Sequence, residues 1–483
     1  MTNEGLGGWP ARRAMLTPER TAIIYQDRST TYDDFFTRTT RVASRLRASG
    51  VAKGDRVAYL GPNHPAFVET MFATHMLGAI FVPLNFRLAT PELQYMIADA
   101  GIEIMVRDPS TADVTGPDII SLDDYEAWLA SGSDEPIDVA VAQDEIALIL
   151  YTSGTTGRPK GAMLSHANMI WNTYNALVSF DVAGDEVGLV SAPLFHVAAL
   201  GQLLLPTFIK GGCSVITPTW DVDMAYDLIE RHRITWMFGV TTMFAAMVQS
   251  PRWQNADLSS VRCLMSGGAP IPVSLILTYQ ERGLVFQQGY GLTETSPGAT
   301  MLEARQSVRK AGSAGVPVFF TSVRVEAPVG EPGEVLIKGP NVTPGYWNNP
   351  AATEAAFEDG WFRSGDLATV DKEGYLYIVD RVKDMFISGG ENVYPAEVEG
   401  VIFGHPSVAE VAVIGVPDPK WGEVGKAFVV CRPGCGLTLA ELRDFLASRL
   451  AKYKIPAHLE VVSGLPRTGS GKVQKAKLRD GSK

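Results

Sequence analysis

The segment Tyr151-Thr-Ser-Gly-Thr-Thr-Gly-Arg-Pro-Lys160-Gly161 follows the apolar run EIALIL, which begins at Glu145. A short apolar run with such a boundary reads as a buried strand leading into a loop. Glycines let backbone N–H groups curl around phosphate oxygens, and the hydroxyls of Thr152, Ser153, Thr155 and Thr156 add donors. Arg158 and Lys160 bring positive charge. The order G-x-x-x-x-G-K-[ST] is not kept, because the lysine stands three residues after Gly157 and a glycine follows it. Read alone, the segment suits a phosphate loop or a glycine-rich surface turn.

Outward from this loop, strand and helix patterns alternate. SHANMIWNTYNALVSF (165–180), MAYDLIERHR (224–233) and PVSLILTYQER (272–282) have helical spacing. Short strand candidates lie between them: GLVSAPL, CSVITPT, ITWMFGV, VRCLMSG and LVFQQGYG. The first 100 residues follow the same rhythm. Such alternation predicts parallel-rich sheets covered by helices. Beyond about Lys310, TSVRVEAP, EVLIKGP, DLATVDKEG and YLYIVD read as short strands with Gly and Pro turns, a β-rich subdomain. The charged stretch DRVKD (380–384) then precedes a small α+β unit. The expected division is a large domain over 1–380, a hinge at 381–383 and a small mobile domain over 384–483, with a disordered tail beyond about Ala476.

A chain of 483 residues, 46% hydrophobic and 20% charged, has material for more than one core. The net charge of −11 argues against a nucleic-acid partner, which would want a basic face. Cys213, Cys263, Cys431 and Cys435 match no zinc or redox spacing, and their scarcity favours a reducing compartment. The opening MTNEGLGGWPARRAM has no apolar core of signal-peptide length. Glu69 and His75 interrupt the most apolar stretch, Phe67 to Phe86, so a buried helix and strand explain it better than a membrane span. The expectation is a cytoplasmic enzyme without a transmembrane segment. Oligomeric state stays open, a homodimer included.

Further motifs follow in order: PLFHVAAL (193–200), FGVTTMF (238–244), SGGAP (266–270), QGYGLTETSPG (288–298), GYWNNP (345–350), GWFRSGDLA (360–368), DRVKDMFISGGENVYPAEVE (380–399) and PRTGSGKVQK (466–475). Together with TSGTTGRPKG they resemble the adenylate-forming superfamily, which includes acyl-CoA synthetases, peptide-synthetase adenylation domains and firefly luciferase. The resemblance covers essentially the whole chain. One departure is Thr241, where many relatives carry proline.

The resemblance implies a two-step acid–CoA ligation. A carboxylate attacks the α-phosphorus of ATP, and CoA then displaces AMP. Both partners of the first step are anionic, so cations and backbone donors must offset their repulsion. By resemblance, Thr152, Ser153, Gly154, Thr155, Thr156, Gly157 and Lys160 hold phosphates. Gly268, Ala269, Pro270, Gln288, Gly289, Tyr290 and Gly291 frame the adenine. Asp366, Ile378 and Arg381 border the ribose. Thr293 resembles an α-phosphate donor and Glu294 the Mg²⁺ ligand; a hard cation needs few carboxylates when phosphates supply the rest. Lys472 resembles the lysine that bridges carboxylate and α-phosphate. Lys383 occupies the pivot position, and Ser388, Gly389, Gly390 and Glu391 fall where relatives pass the CoA arm. ATP and CoA are thus expected co-substrates, with Mg²⁺ as cofactor.

In relatives the acid pocket is built from segments that here supply Val197, Ala198, Ala199, Gln202, Phe238, Met243, Met265, Gly267, Pro297 and Gly298. Most are small or apolar, and no cation stands ready for a second carboxylate. Gln202 could hydrogen-bond a distal polar group. His196 borders this site; adenylation domains that load amino acids typically carry aspartate there, so histidine argues for an acid without an α-ammonium. The segments LGPNHPAF, APLFHVAALG, GSAGVPVFF and VIGVPDPKWGEVGKA look most like actinobacterial feruloyl- or 4-coumaroyl-CoA ligases. The alternatives are a medium- or long-chain fatty acyl-CoA synthetase and an enzyme that loads a carrier protein.

Overall fold

The computed structural model describes residues 2–152, 159–268, 271–381, 384–388, 391–447, 449–468 and 472–481. These residues form a mixed α/β protein, with four sheets among them. In the nine-stranded sheet, Thr21–Tyr25, Cys213–Ile216, Val187–Val190, Trp236–Gly239, Cys263–Ser266 and Phe286–Gly291 run parallel in that spatial order. Antiparallel strands close both edges. The seven-stranded sheet has a parallel block of Asp118–Ser121, Ile104–Arg107, Arg56–Leu60, Ile80–Leu84 and Ile146–Thr152. Helices cover both, as the alternation predicts. Pro65–Met76 and Ile80–Leu84 are buried almost throughout, which accounts for the unbroken apolar stretch.

One strand departs from the expected rhythm. Lys160–Ser165 pairs antiparallel with Ile146–Thr152, placing Thr152 opposite Lys160. The Gly/Thr segment therefore joins the two arms of a hairpin and does not lead directly into a helix. Ser165 then caps His166–Phe180, its hydroxyl accepting from the Asn168 N–H. Thr241 is the first residue of the helix Thr241–Gln249, a position that proline and threonine both suit.

Two smaller sheets follow. The antiparallel β-rich one contains Ser322–Val325, Gly333–Lys338, Trp361–Val370 and Leu376–Arg381. The last sheet spans residues 386–461 and carries Pro395–Phe403 and Leu439–Ala447 against its own apolar core. The expected tail beyond Ala476 is instead the helix Lys475–Asp480. Leu478 is buried and Arg479 pairs with Asp384 at 2.9 Å, enough to fix a short charged segment that lacks apolar periodicity. Asp380, at the end of the β-rich sheet, accepts from the Ala396 N–H at 2.9 Å. Its carboxylate thus meets the N-terminal end of Pro395–Phe403, where backbone donors are unpaired.

The N-terminal residues are tied to the interior. The Leu6 N–H donates to His166 Nδ1 at 3.2 Å, and His166 lies edge-on to His75 with ring centres 5.0 Å apart. Burial pushes the His166 imidazole down to about 4, and His75 falls well below its ordinary value for the same reason. A depressed histidine contributes stability that is present above its unfolded value near 6.5 and is lost as pH falls through 4. Thermal unfolding should therefore shift downward between pH 7 and pH 4.5. His166→Asn, which keeps an acceptor for Leu6, should flatten that slope; an unchanged slope would remove His166 from the acid response.

Candidate active site

In parallel sheets, ligands gather at the carboxyl ends of the strands. Register aligns those ends here: Gly239 pairs with Ser266, and Ser266 with Gln288. Asn63, after the strand Arg56–Leu60, brings the second sheet to the same edge. Its Nδ2 donates to the Ala192 carbonyl at 3.0 Å, and its Oδ1 accepts from the Leu194 N–H at 2.8 Å. The segments after Val190, Gly239, Ser266 and Gln288 hold His196, Met243, Gly268 and Glu294.

Asp366 lies opposite Arg381 in the β-rich sheet, and Arg381 Nε reaches its Oδ1 at 3.1 Å. The Tyr290 hydroxyl donates to the other carboxylate oxygen at 2.8 Å. Burial and the neighbouring Asp366 charge raise the Tyr290 phenol well above its ordinary value, so it stays a donor. Ile378 is on the strand beside them, paired with Ala368. Gln288 is committed elsewhere: its Nε2 donates to the Ser313 carbonyl, and its own carbonyl accepts from Leu302 N–H.

Lys472 reaches this group from the far end of the chain. A side-chain carbon placed on Gly268 would lie 3.6 Å from Lys472 Cε. Gly268 has φ +84°, a conformation that glycine adopts freely. Lys472 is exposed as a residue, while the ammonium end lies over Gly268 and is crowded by the protein there. That crowding, with the Arg381 charge, lowers its pKa, while Asp366 and Glu294 pull it back up.

Glu294 is buried in the turn Thr293–Thr295 and accepts from the Tyr346 hydroxyl at 2.9 Å. Lys160 Nζ stands 5.3 Å from the centre of the Tyr346 ring, linking the hairpin to this carboxylate. Among the described residues no lysine or arginine forms a salt bridge with Glu294, and no cluster of three or more metal-ligating side chains occurs. A single buried carboxylate fits an ion that takes most of its oxygens from phosphate and water. Tyr346 was not picked out by sequence reasoning, because nothing in GYWNNP tells which aromatic reaches Glu294.

The apolar residues expected around the acid share one large buried core. Val197, Ala199, Phe238, Met243 and Met265 belong to one buried cluster, with Ala198 packed against it. His196 lies beside Phe195, ring centres 4.5 Å apart. Gly267 and Gly289 are in close approach: a carbon added to Gly267 would sit 3.1 Å from the Gly289 carbonyl oxygen. Asn172 and Asn341 pin the segment 294–298 from two sides. Asn172 Oδ1 accepts from the Gly298 N–H at 3.0 Å, and Asn341 Nδ2 donates to the Thr295 and Gly298 carbonyls at 2.8 and 2.7 Å. A carbon on Gly291 would fall 1.7 Å from the Pro297 carbonyl oxygen, and one on Gly201 2.6 Å from that of Ser296. One on Gly298 would meet the Gln202 side-chain amide at 2.7 Å. Asn172 was also missed, since an asparagine within a helix reads as part of its polar face.

Ser388 is buried and pairs with Glu391 and Gly422 in the last sheet. Ser153, Gly154, Thr155, Thr156, Gly157, Ala269, Pro270, Lys383, Gly389 and Gly390 lie outside the described residues.

The AMP-binding enzyme family matches residues 11–347, and the AMP-binding enzyme C-terminal domain matches 397–472. The chain belongs to this family, the adenylate-forming acyl-CoA synthetases. It is 51% identical to a feruloyl-CoA synthase of Amycolatopsis, with 99% of each chain covered. A long-chain-fatty-acid–CoA ligase of Mycobacterium tuberculosis is 39% identical over 98% of each chain. Among solved structures, Bacillus subtilis o-succinylbenzoate CoA synthetase with its acyl-adenylate intermediate superimposes with a TM-score of 0.91, at 36% identity over 98% of each chain. No helix among the described residues is long and apolar enough to cross a membrane.

Proposed function

We propose that this ATP-dependent acid–CoA ligase acts on hydroxycinnamates such as ferulate or 4-coumarate. The observation that carries the reading is full-length similarity: 51% identity to a feruloyl-CoA synthase, against 39% to a fatty-acid ligase. The apolar character of Phe238, Met243 and Met265, buried together in one core cluster, is compatible with an aromatic acid.

In the first step a carboxylate oxygen bonds to the α-phosphorus of ATP as the bond to pyrophosphate breaks. The Lys472 ammonium stands between acid and α-phosphate and offsets their repulsion, with Thr293 donating beside it. Thr152 and Lys160 flank the segment that holds the outer phosphates. Glu294 would hold Mg²⁺, which supplies charge neutralisation for the departing pyrophosphate. Asp366 and Arg381 orient the ribose, and Tyr290 lies against the adenine. In the second step the CoA sulfur bonds to the acyl carbon, the bond to AMP breaks, and the thiol proton passes to water. The small domain, 384–483, turns at 381–383 between the steps, releasing the Asp380–Ala396 contact and bringing Ser388 to Glu391 toward the cleft. Use of ATP and CoA, with sparse cysteines, supports the reading of a cytoplasmic enzyme.

The test is kcat/KM for ferulate, 4-coumarate, benzoate, octanoate and palmitate with saturating ATP, Mg²⁺ and CoA. Ferulate and 4-coumarate should lead. A clear lead for octanoate or palmitate would replace the hydroxycinnamate reading with the fatty-acyl one, and loss of all thioester unless a carrier protein replaces CoA would make it a loading enzyme.

A further inference from the structure

Gln202 is 7% exposed, and its Oε1 has no hydrogen-bond partner among the described residues. A buried acceptor left unmet is costly and calls for a reason. Which amide atom is unmet follows from the neighbouring side chain. Asn172 Nδ2 donates to the Gly201 carbonyl at 2.8 Å and its Oδ1 accepts from Gly298 N–H, which fixes that amide one way round. The Gln202 atom facing Asn172 Oδ1, at 3.4 Å, is then the NH₂ group, because the opposite placement would set two oxygens against each other. The remaining group is the oxygen, an acceptor only.

Gln202 stands in the segment that the resemblance gives to the acid pocket. Gln202 sits in Leu200–Leu204, wound as a π-helix, a rare wide turn that recurs at functional sites. Leu200 and Leu203 on either side join the same apolar cluster as Phe238, Met243 and Met265. Gly298, against the Gln202 amide, is four residues from Glu294.

The geometry points to Gln202 Oε1 as the group that selects acids carrying a hydrogen-bond donor, a phenolic O–H, at the end remote from the carboxylate, with Asn172 as its positioning residue. This rests on the aromatic-acid reading above. An unsubstituted ring or a methyl ether brings no donor and leaves the oxygen unmet. An ionised second carboxylate would set negative charge against it.

The experiment compares kcat/KM for 4-coumarate, cinnamate and 4-methoxycinnamate in the full-length enzyme and in Gln202→Leu and Asn172→Ala. The wild type should favour 4-coumarate over both others by roughly tenfold, the value of one buried hydrogen bond. In Gln202→Leu that ratio should fall toward one. In Asn172→Ala the freed amide can turn, so the preference for 4-coumarate over 4-methoxycinnamate should shrink; a merely structural loss would lower both alike. Equal use of 4-coumarate and 4-methoxycinnamate by the wild type overturns the inference, with or without the variants. So does an unchanged ratio in Gln202→Leu. If the wild type turns over all three acids, either result overturns this inference alone; if it turns over none, the acid class falls and this inference with it.

Discussion

Lys472→Ala should slow acyl-adenylate formation roughly a thousandfold, the loss expected when one preorganised donor to a developing charge is removed. Adenylation brings a carboxylate against a polyphosphate, and Lys472 is the cation that the fold carries to Gly268, beside the Asp366–Arg381 pair. Conversion of a supplied acyl-adenylate and CoA to thioester should persist, because the proposed turn of the small domain takes Lys472 away for that step. ATP–pyrophosphate exchange and single-turnover thiolysis read the two halves separately. Near-normal exchange in the variant would remove Lys472 from the chemistry. Its lowered pKa adds a sign. The cation is lost as pH rises through that lowered value, so wild-type exchange should decline on the alkaline side earlier than an ordinary lysine near 10.4 would dictate.

Glu294→Gln should lower kcat/KM by about a hundredfold and raise the Mg²⁺ concentration needed for half-maximal rate. The substitution keeps an oxygen for the Tyr346 hydroxyl, so the hydrogen bond and the turn Thr293–Thr295 can survive. What it removes is the negative charge, and a hard cation prefers a carboxylate over a neutral amide. The Mg²⁺ titration separates ligand loss from general damage, which would lower the maximum without moving the midpoint. A wild-type midpoint in the variant would sink Glu294 as the ligand.

Much of the candidate site could be nominated from sequence because its residues stand in contiguous motifs. The Gly/Thr loop, Glu294, Asp366 and Lys472 each sit in a string whose order along the chain is itself informative. The parts that stayed hidden depend on contacts between distant segments. Tyr346 touches Glu294 across 52 positions, and Asn172 touches Gly298 across 126. Neither has a local pattern to betray it. Lys160–Ser165 was hidden for another reason: KGAMLS runs straight into a helical segment, and only its hairpin pairing marks it as a strand. The helix Lys475–Asp480 is held by a buried leucine and by the ion pairs Lys475–Glu399 and Arg479–Asp384, contacts that charge-rich sequence alone reads as tail.

The crowding at the glycines bears on how the proposed acid preference can change by stepwise mutation. At Gly291 and Gly201 an added carbon would run into the carbonyls of Pro297 and Ser296, and backbone cannot step aside. Those two positions are closed to gradual variation; any side chain there is a fold defect before it is a new preference. Gly298 is different, because what it would meet is side chain and not backbone: the Gln202 amide at 2.7 Å and Asn172 Oδ1 at 3.1 Å. Under the proposed pocket, drift toward shorter or unhydroxylated acids runs through Gly298 and Gln202 together, with Asn172 giving way by a few tenths of an ångström. A library confined to that pair samples new substrates while leaving the adenylate machinery intact.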